Sequence, residues 1–175
     1  PIYGSTISDL AKFKPDVIFI CVPTPMGDGG EQDYSIIYSV VQQLVEECID
    51  SIKVVKSTVL PSILQRLQKV DKKIIYNPEF LREKHANLDF ENTEMIILGG
   101  DENVSKQVAG FYEYHSRCKT KEYLYTDLFC SSLAKYTINT FLASKVLFFN
   151  EIKDLFDNSN TNEDWKTIIN IVSKD

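Results

Sequence analysis

The segment from Asn77 to Glu83 concentrates residue types that carry out proton transfer. It reads Asn-Pro-Glu-Phe-Leu-Arg-Glu, so that two carboxylates, a guanidinium and an amide follow one short apolar run. Glu79 and Glu83 are four residues apart, and a helical turn between them would place both carboxylates on one side. Repulsion and burial would then raise one pKa towards that of a general base. The alternative is a pair of solvated carboxylates with Arg82 as their partner.

A lysine and an asparagine share one face of a long apolar stretch further along the chain. Lys135 and Asn139 are spaced i, i+4, and Ser131 lies one helical turn before the lysine. A lysine among apolar neighbours either extends its ammonium to water or is held as a fixed cation. A fixed cation can stabilise negative charge that develops during a reaction. The residues alone leave both interpretations open.

Two other segments combine polar groups with stiff backbone where a predicted strand ends. Val22-Pro-Thr-Pro25 leads into a glycine-rich tip, and a ligand site and a rigid loop are equally compatible with it. Lys56-Ser-Thr-Val59 is followed by a helix that begins at Pro61. Its hydroxyl groups can bind a phosphate or a nicotinamide amide, or they can cap that helix. The pattern favours capping.

These segments follow apolar runs of strand length that alternate with helical patterns. The predicted strands are Asp16–Val22, Lys53–Lys56, Lys73–Tyr76, Met95–Leu98 and Glu122–Tyr125. The predicted helices between them are Ser35–Cys48, Pro61–Val70 and Glu102–Tyr114. Strands buried on both faces and separated by helices favour parallel pairing, so the fold class is α/β, layered and open. Ligands of such sheets bind beyond the carboxyl ends of the strands.

The distribution of glycine and proline predicts a second domain. All seven glycines and all six prolines lie between Pro1 and Gly110, which indicates a change from short elements to long helices. We predict a boundary near Tyr125, with one domain over 1–125 and another over 126–175. Thr126 to Phe156 is predicted to form one helix of about 30 residues. Its apolar face needs a second domain or a second subunit to cover it.

Composition excludes several classes of protein. The chain has 175 residues, with 19 basic against 25 acidic side chains and a net charge of −6, which argues against nucleic-acid binding. Its apolar runs are too short to span a bilayer, and no signal peptide precedes them. The four cysteines form neither a zinc pattern nor a disulfide framework, so we predict no metal and a reducing, cytoplasmic compartment. Cys21 is interpreted as a small buried hydrophobe.

Six blocks, in this order, resemble the UDP-glucose/GDP-mannose dehydrogenase family over nearly the whole chain. They are Val22-Pro-Thr-Pro25, Lys56-Ser-Thr-Val59, Asn77-Pro-Glu-Phe-Leu-Arg-Glu83, Asp89-Phe90, Ala134-Lys-Tyr-Thr-Ile-Asn-Thr-Phe-Leu-Ala143, and Lys145-Val146 with Asn150-Glu151. The resemblance implies a partial Rossmann-like parallel sheet with flanking helices, followed by a long helix of an all-α middle domain. It also implies a homodimer formed through that helix.

The resemblance implies an activity and a set of roles. The activity is an NAD-dependent, four-electron oxidation of the C6 hydroxyl of a nucleotide sugar, UDP-glucose foremost, to a carboxylate, as used in polysaccharide biosynthesis. Glu79 would be the acid/base for water, and Thr58 would help to hold that water. Lys135 would stabilise the oxyanion, and Asn139 would orient the substrate oxygen. Cofactor contacts would come from Val22, Pro23, Thr24, Pro25, Ser57 and Glu83. Substrate contacts would come from Phe80, Leu81, Arg82 and Glu83.

The chain departs from the family pattern in several places. It has no GxGxxG motif, which we expect upstream of Pro1, and the nucleophilic cysteine is expected beyond Asp175. We therefore predict little or no activity for these residues alone. Ser132 stands where a glutamate is usual, and Lys84 replaces a glycine. Two rival hypotheses are a non-catalytic binding or dimerising module and a hydroxy-acid dehydrogenase of the same fold class.

Overall fold

The computed structural model describes residues 6–47 and 50–174, apart from the side chain of Glu83. Its centre is a five-stranded sheet whose spatial order follows the chain. The strands are β1 (Val17–Ile20), β2 (Ile52–Val55), β3 (Ile74–Tyr76), β4 (Ile96–Gly99) and β5 (Tyr123–Thr126). Each predicted strand is present, with bounds that differ by one or two residues.

One pairing in the sheet differs from the prediction. β1, β2 and β3 are parallel, and β4 is parallel to β5. However, β4 runs antiparallel to β3, with Tyr76 opposite Gly99. The expectation of a wholly parallel sheet was therefore wrong at this junction. The connection between β3 and β4 contains a 3₁₀ turn (Glu83–His85) and the six-residue helix α4 (Ala86–Glu91), whereas each pair of parallel strands is connected by a helix of at least ten residues.

The described residues form seven α-helices, several of which carry local signals for their ends. They are α1 (Ile7–Lys12), α2 (Ser35–Glu47), α3 (Pro61–Val70), α4 (Ala86–Glu91), α5 (Glu102–His115), α6 (Leu128–Asp157) and α7 (Trp165–Val172). Proline occupies the first turn of α3, where its missing N–H costs nothing. The carboxylate of Asp101 accepts hydrogen bonds from the first turn of α5. The short helices α1 and α4 were not predicted.

Apolar side chains cover both faces of the sheet. On one face Ile20, Val55 and Tyr76 pack in a cluster that includes residues of α2 and α3. On the other face Val54, Ile75 and Leu98 pack in a cluster that includes residues of α5. All the residues of β2, β3 and β4 are buried, as the continuous apolar runs predicted. The sheet therefore provides a rigid base for the polar residues that follow its strands.

The chain divides into two compact units, the first ending at Lys135 and the second beginning at Tyr136. The division falls inside α6, ten residues after the predicted boundary, and the domain assignment 1–125 and 126–175 stays a prediction. Within the second unit the ring of Phe156 packs against Trp165 at 5.4 Å, and Asp164 caps α7. Among the described residues, no helix combines the length and the hydropathy needed to cross a membrane.

Candidate active site

The residues that end three neighbouring strands lie at one edge of the sheet. Because β1, β2 and β3 are parallel, their carboxyl ends meet there. Cys21 follows β1, Lys56 follows β2 and Asn77 follows β3. The Cys21 side chain is exposed, so its interpretation as a buried hydrophobe was wrong. β1 ends at Ile20, and the thiol already belongs to the loop.

Lys56 and Glu79 form an ion pair at this edge. The ammonium nitrogen of Lys56 is 3.6 Å from Oε2 of Glu79. The lysine side chain is 15% exposed, whereas the glutamate side chain is 48% exposed. The carboxylate therefore faces open space while its partner is held against the protein.

A second lysine approaches Glu79 from α6. The ammonium of Lys135 donates a hydrogen bond to the backbone carbonyl of Glu79 and lies 5.1 Å from the centre of the Phe80 ring. Lys135 is only 8% exposed although much of α6 is accessible. The ammonium is thus held against the protein and does not extend freely into water. The role of Lys135 as a cation that stabilises an oxyanion stays a prediction.

Asn77 links the edge of the sheet to a buried tyrosine. Its Oδ1 accepts hydrogen bonds from the Tyr112 hydroxyl at 2.6 Å and from the Lys56 ammonium at 3.1 Å. Its Nδ2 donates to the carbonyl of Ile97 at 2.8 Å. Asn77 and Tyr112 are 3% and 6% exposed. The amide thus uses its donor and its acceptor, as buried polar groups require.

Burial changes the proton affinity of the groups around Lys56. Burial lowers the pKa of the Lys56 ammonium, and Lys135 lowers it further, while Glu79 and Cys21 raise it. Burial also lowers the pKa of Lys135, with Glu79 opposing that shift. Although the Cys21 side chain is exposed, neighbouring protein atoms partly desolvate its thiol, which raises its pKa, and Lys56 opposes that shift. Burial likewise raises the pKa of the Tyr112 hydroxyl.

The loops after β1 and β2 are tied to each other. The Ser57 hydroxyl donates to the carbonyl of Val22 at 2.6 Å, and the Thr24 hydroxyl donates to the carbonyl of Thr58 at 2.9 Å. The Gln32 side chain bridges the same carbonyl of Thr58 and the N–H of Leu60, at 2.8 and 3.2 Å. Leu60 is the N-cap of α3 and makes no side-chain capping bond. Capping of α3 by Ser57 or Thr58, which the pattern favoured, was therefore wrong.

The segment after Glu79 does not form the helical turn that the spacing suggested. Residues 77–82 are irregular, and a short 3₁₀ turn begins at Glu83. The backbone N–H of Arg82 donates to Asp89 at 2.9 Å, and its guanidinium binds the same carboxylate at 2.7 and 3.0 Å. Arg82 thus pairs with Asp89 rather than with the two glutamates. Leu81 is half-buried and Phe80 is exposed.

Not every predicted site residue can be placed at the edge of the sheet. Asn139 belongs to the second unit, where its side chain is exposed. The side chain of Glu83 lies outside the described residues, as does Cys48. Pro23 and Pro25 are exposed, and Val22 is half-buried. The roles of all these residues stay predictions.

The sequence interpretation missed three residues of this site. Lys56 and Asn77 were seen only as parts of motifs, and Tyr112 was not singled out. Lys56 had one usable signal, because it is the charged last residue of a strand predicted to be buried. Tyr112 had none, since it lies 35 residues from Asn77 on another element.

The site opens into a shallow cavity of about 30 Å³ lined by Lys56, Asn77 and Glu79, among others. A larger cavity of about 770 Å³ lies at the opposite edge of the sheet, where Asp16, Ser51 and Lys73 precede the strands. Size alone would favour the larger cavity. Lys56 and the acid/base candidate Glu79 both line the smaller one, and the chemistry of a site depends on its groups rather than on its volume.

Residues 3–116 match the model of the UDP-glucose/GDP-mannose dehydrogenase family, NAD binding domain. The chain belongs to the UDP-glucose/GDP-mannose dehydrogenase family. It is 34% identical over 147 residues to UDP-glucose 6-dehydrogenase of Rickettsia conorii, with 80% of this chain and 34% of that protein covered. It is 37% identical over 172 residues to the uncharacterized protein MJ1054 of Methanocaldococcus jannaschii, with 90% of this chain and 19% of that protein covered.

Solved structures of this dehydrogenase family have the same fold. GDP-mannose dehydrogenase of Pseudomonas aeruginosa superposes with a TM-score of 0.80 at 26% identity, over 95% of this chain and 41% of that one. UDP-glucose dehydrogenase of Pyrobaculum islandicum gives 0.73 at 27% identity, over 85% and 37%. The α/β, Rossmann-like fold class is confirmed. The chain spans about a third or less of the length of the first curated relatives it matches.

The matched part is the NAD-binding domain of this dehydrogenase family, so NAD is its cofactor. The residues after β1 and β2 fit that group chemically. The hydroxyls of Thr24 and Ser57 donate to backbone carbonyls and keep lone pairs that can accept bonds from ribose or carboxamide groups. The exposed rings of Pro23 and Pro25 offer apolar surface beside them. In an α/β sheet, a dinucleotide binds at this edge.

Proposed function

We propose that the protein to which these residues belong is a nucleotide-sugar 6-dehydrogenase that oxidises the C6 hydroxyl of UDP-glucose, or of a related nucleotide sugar, to a carboxylate. The reaction removes four electrons, which two equivalents of NAD would accept as two hydrides, and water would supply the second oxygen of the carboxylate. One observation carries the proposal. Lys135 is a buried cation that α6 holds against the backbone of Glu79, at the sheet edge where the cofactor of this fold class binds.

The chain's own residues have separable roles in this proposal. Glu79 moves a proton to and from water at its exposed carboxylate, and Thr58 helps to hold that water. Lys135 stabilises the oxyanion, and Asn139 orients the substrate oxygen. Residues Val22 to Pro25, together with Ser57 and Glu83, contact the cofactor. The loop of Phe80, Leu81, Arg82 and Glu83 contacts the nucleotide sugar. The bond between Arg82 and Asp89 supports that role because it fixes the path of this loop.

The free energy by which Lys135 would stabilise the oxyanion can be estimated. A cation that is already in place when negative charge develops is worth about 3–4 kcal/mol, comparable with one donor of an oxyanion hole. Lys135 meets this condition because its ammonium is anchored by the Glu79 carbonyl and by the Phe80 ring. No reorganisation is then needed during the reaction.

The test is kinetic and uses a complete dehydrogenase that carries these 175 residues. We expect Lys135→Ala to lower kcat with UDP-glucose at least tenfold while NAD affinity changes by less than a few fold, because the lysine acts on developing charge. Lys106→Ala, at an exposed ion pair on α5, is the matched control. Equal turnover of Lys135→Ala and wild type would remove the lysine from the mechanism. Turnover of a simple hydroxy acid instead of the sugar nucleotide would favour the rival dehydrogenase.

We further propose a homodimer formed through α6, acting in the cytoplasm in polysaccharide biosynthesis. Large apolar side chains in the second unit support the dimer, since Phe141 and Phe148 are 63% and 59% exposed. The described cysteines, Cys21, Cys118 and Cys130, are free thiols, which supports a reducing compartment. These 175 residues alone are expected to produce little or no NADH from NAD and UDP-glucose.

A further inference from the structure

The Lys56 ammonium contacts both the buried amide of Asn77 and the carboxylate of Glu79. It lies 3.1 Å from the first and 3.6 Å from the second. Lys56 follows β2, whereas the other two residues follow β3. We propose that Lys56 is a positioning residue that orients the Glu79 carboxylate, and that Asn77 and Tyr112 hold Lys56 in place. The catalytic meaning of this role rests on the acid/base function proposed for Glu79.

The side-chain amide of Asn77 is held in one orientation. Its Nδ2 donates to the carbonyl of Ile97 on β4, and its Oδ1 accepts from Tyr112 on α5. Turning the amide over would place a donor against the donors of Lys56 and Tyr112 and an acceptor against a carbonyl. A buried amide with these neighbours has one satisfied orientation. The acceptor for Lys56 is therefore in a defined place.

The ammonium of Lys56 is restrained by partners on two sides. A lysine ammonium has three donors on a flexible stem, so a single partner would not define its position. Here the ammonium has an anchored amide oxygen on one side and the Glu79 carboxylate on the other. The lysine side chain is 15% exposed, which restricts its alternatives. The restraint passes from the core to a carboxylate that is otherwise half-exposed.

Several titratable groups lie close enough to Lys56 to change the pKa of its ammonium. The titratable groups that interact with Lys56 are Cys21 after β1, Glu79 after β3 and Lys135 on α6. Tyr112 on α5 also shares its acceptor on Asn77. Burial lowers the pKa of Lys56, and among the groups that raise it Glu79 has the largest effect. Removal of the Glu79 charge should therefore lower the pKa of Lys56 further.

A contribution to folding stability explains the ion pair of Lys56 and Glu79 less well than a positioning role does. An ion pair whose carboxylate is half in solvent contributes little to folding. Its effect is to limit the directions in which the carboxylate can point. A group that exchanges protons with a bound water must be held within hydrogen-bond reach of it, and loss of about an ångström of precision lowers the rate strongly.

The pair itself is tested in solution by NMR on the chain with labelled lysine and glutamate. We expect the titration midpoint of the Lys56 ammonium to fall in Glu79→Gln and to stay unchanged in Glu102→Gln, which removes an exposed partner of Lys106 on α5. We also expect Lys56→Met to shift the carboxyl carbon resonance of Glu79. An unchanged Lys56 midpoint in Glu79→Gln, or an unchanged Glu79 resonance in Lys56→Met, would overturn the proposal.

Positioning is tested in a complete dehydrogenase that carries these residues. We expect Lys56→Met to lower kcat roughly tenfold and to alter its pH profile, and Lys56→Arg to restore most of the rate, because a cation is again available. Lys106→Met is the control and should keep the wild-type rate. A Lys56→Met enzyme with unchanged kcat and pH profile would overturn the proposal. A wild-type enzyme that oxidises no nucleotide sugar would instead overturn the proposed function, and the NMR titrations would still decide whether Lys56 orients Glu79.

Discussion

Asn77 connects three elements through one amide group, and at the scale of single residues this group determines the geometry of the site. It bonds the Lys56 ammonium, the Tyr112 hydroxyl on α5 and a carbonyl of β4. The last bond exists because β4 runs antiparallel to β3, which brings Ile97 beside Asn77. The single pairing that the pattern did not predict is therefore part of what fixes the candidate site.

The pair formed by Arg82 and Asp89 should make the stability of the fold depend on acid. Hydrogen bonds from the Arg82 side chain and backbone hold the pKa of the Asp89 carboxyl well below its usual range. Because the folded pKa lies below the unfolded value of about 3.9, this stabilisation is complete above that value. It is lost as pH falls through the folded pKa.

Asp89→Asn measures this contribution directly. We expect the variant to be less stable than wild type near pH 6 and the difference to shrink progressively between about pH 5 and pH 1. The measurement is the urea midpoint at a series of pH values. Asp28→Asn, at an exposed carboxylate in a turn, serves as the control. A stability difference that is constant across that range would show that Asp89 acts through something other than its charge.

At the scale of elements, local signals predicted the ends of helices well. α3 begins and ends where the pattern placed it, at Pro61–Val70, and α5 begins at the predicted Glu102 and ends one residue beyond the predicted Tyr114. Proline at N1 and an aspartate N-cap act within a few residues, so the sequence displays them. Strand direction is different, because a strand buried on both faces has the same apolar run whether it is parallel or antiparallel. The short helix α4 has too few residues to show a period.

Substitution of Gly99, the last residue of β4, tests how closely this strand approaches the start of α6. A Cβ at this position would lie 2.0 Å from the Ser131 hydroxyl oxygen and 2.8 Å from the backbone oxygen of Asp127. A backbone atom cannot move aside cheaply, so we expect Gly99→Ala to lower the free energy of unfolding by about 1–3 kcal/mol. Gly110, inside α5, has no atom within 4 Å of its would-be Cβ.

Gly110→Ala is therefore the matched control, and it should raise the free energy of unfolding by about 0.5–1 kcal/mol through helix propensity. Urea denaturation of the two variants and the wild type compares them under one condition. Equal stability of Gly99→Ala and wild type would mean that β4 and the start of α6 are not in close contact.

At the scale of the whole molecule, the candidate site assembles from distant parts of the chain. Lys135 bonds a backbone oxygen 56 residues away, and Tyr112 bonds a side chain 35 residues away. The motifs identified Glu79 and Lys135 separately because each has a local pattern. Nothing local shows that a tyrosine on α5 supports the lysine after β2, since that relation exists only after the sheet has formed. Residue types can thus be predicted from sequence, whereas their partners require the fold.

The exposed apolar side chains of the second unit lead to the last prediction. Phe141 and Phe148 are seven residues apart on α6, so they lie within about 20° of each other around the helix. If this face forms the proposed homodimer, two lysines there would bury unpaired charge. We expect wild type to sediment at twice the 20.0 kDa chain mass and the double variant Phe141→Lys, Phe148→Lys to sediment at the chain mass.

Asn150→Lys, about 180° from Phe141 around α6, is the control variant and should stay dimeric. A monomeric wild type at micromolar concentration, or dissociation by Asn150→Lys as complete as by the double variant, would mean that this face does not hold two chains together.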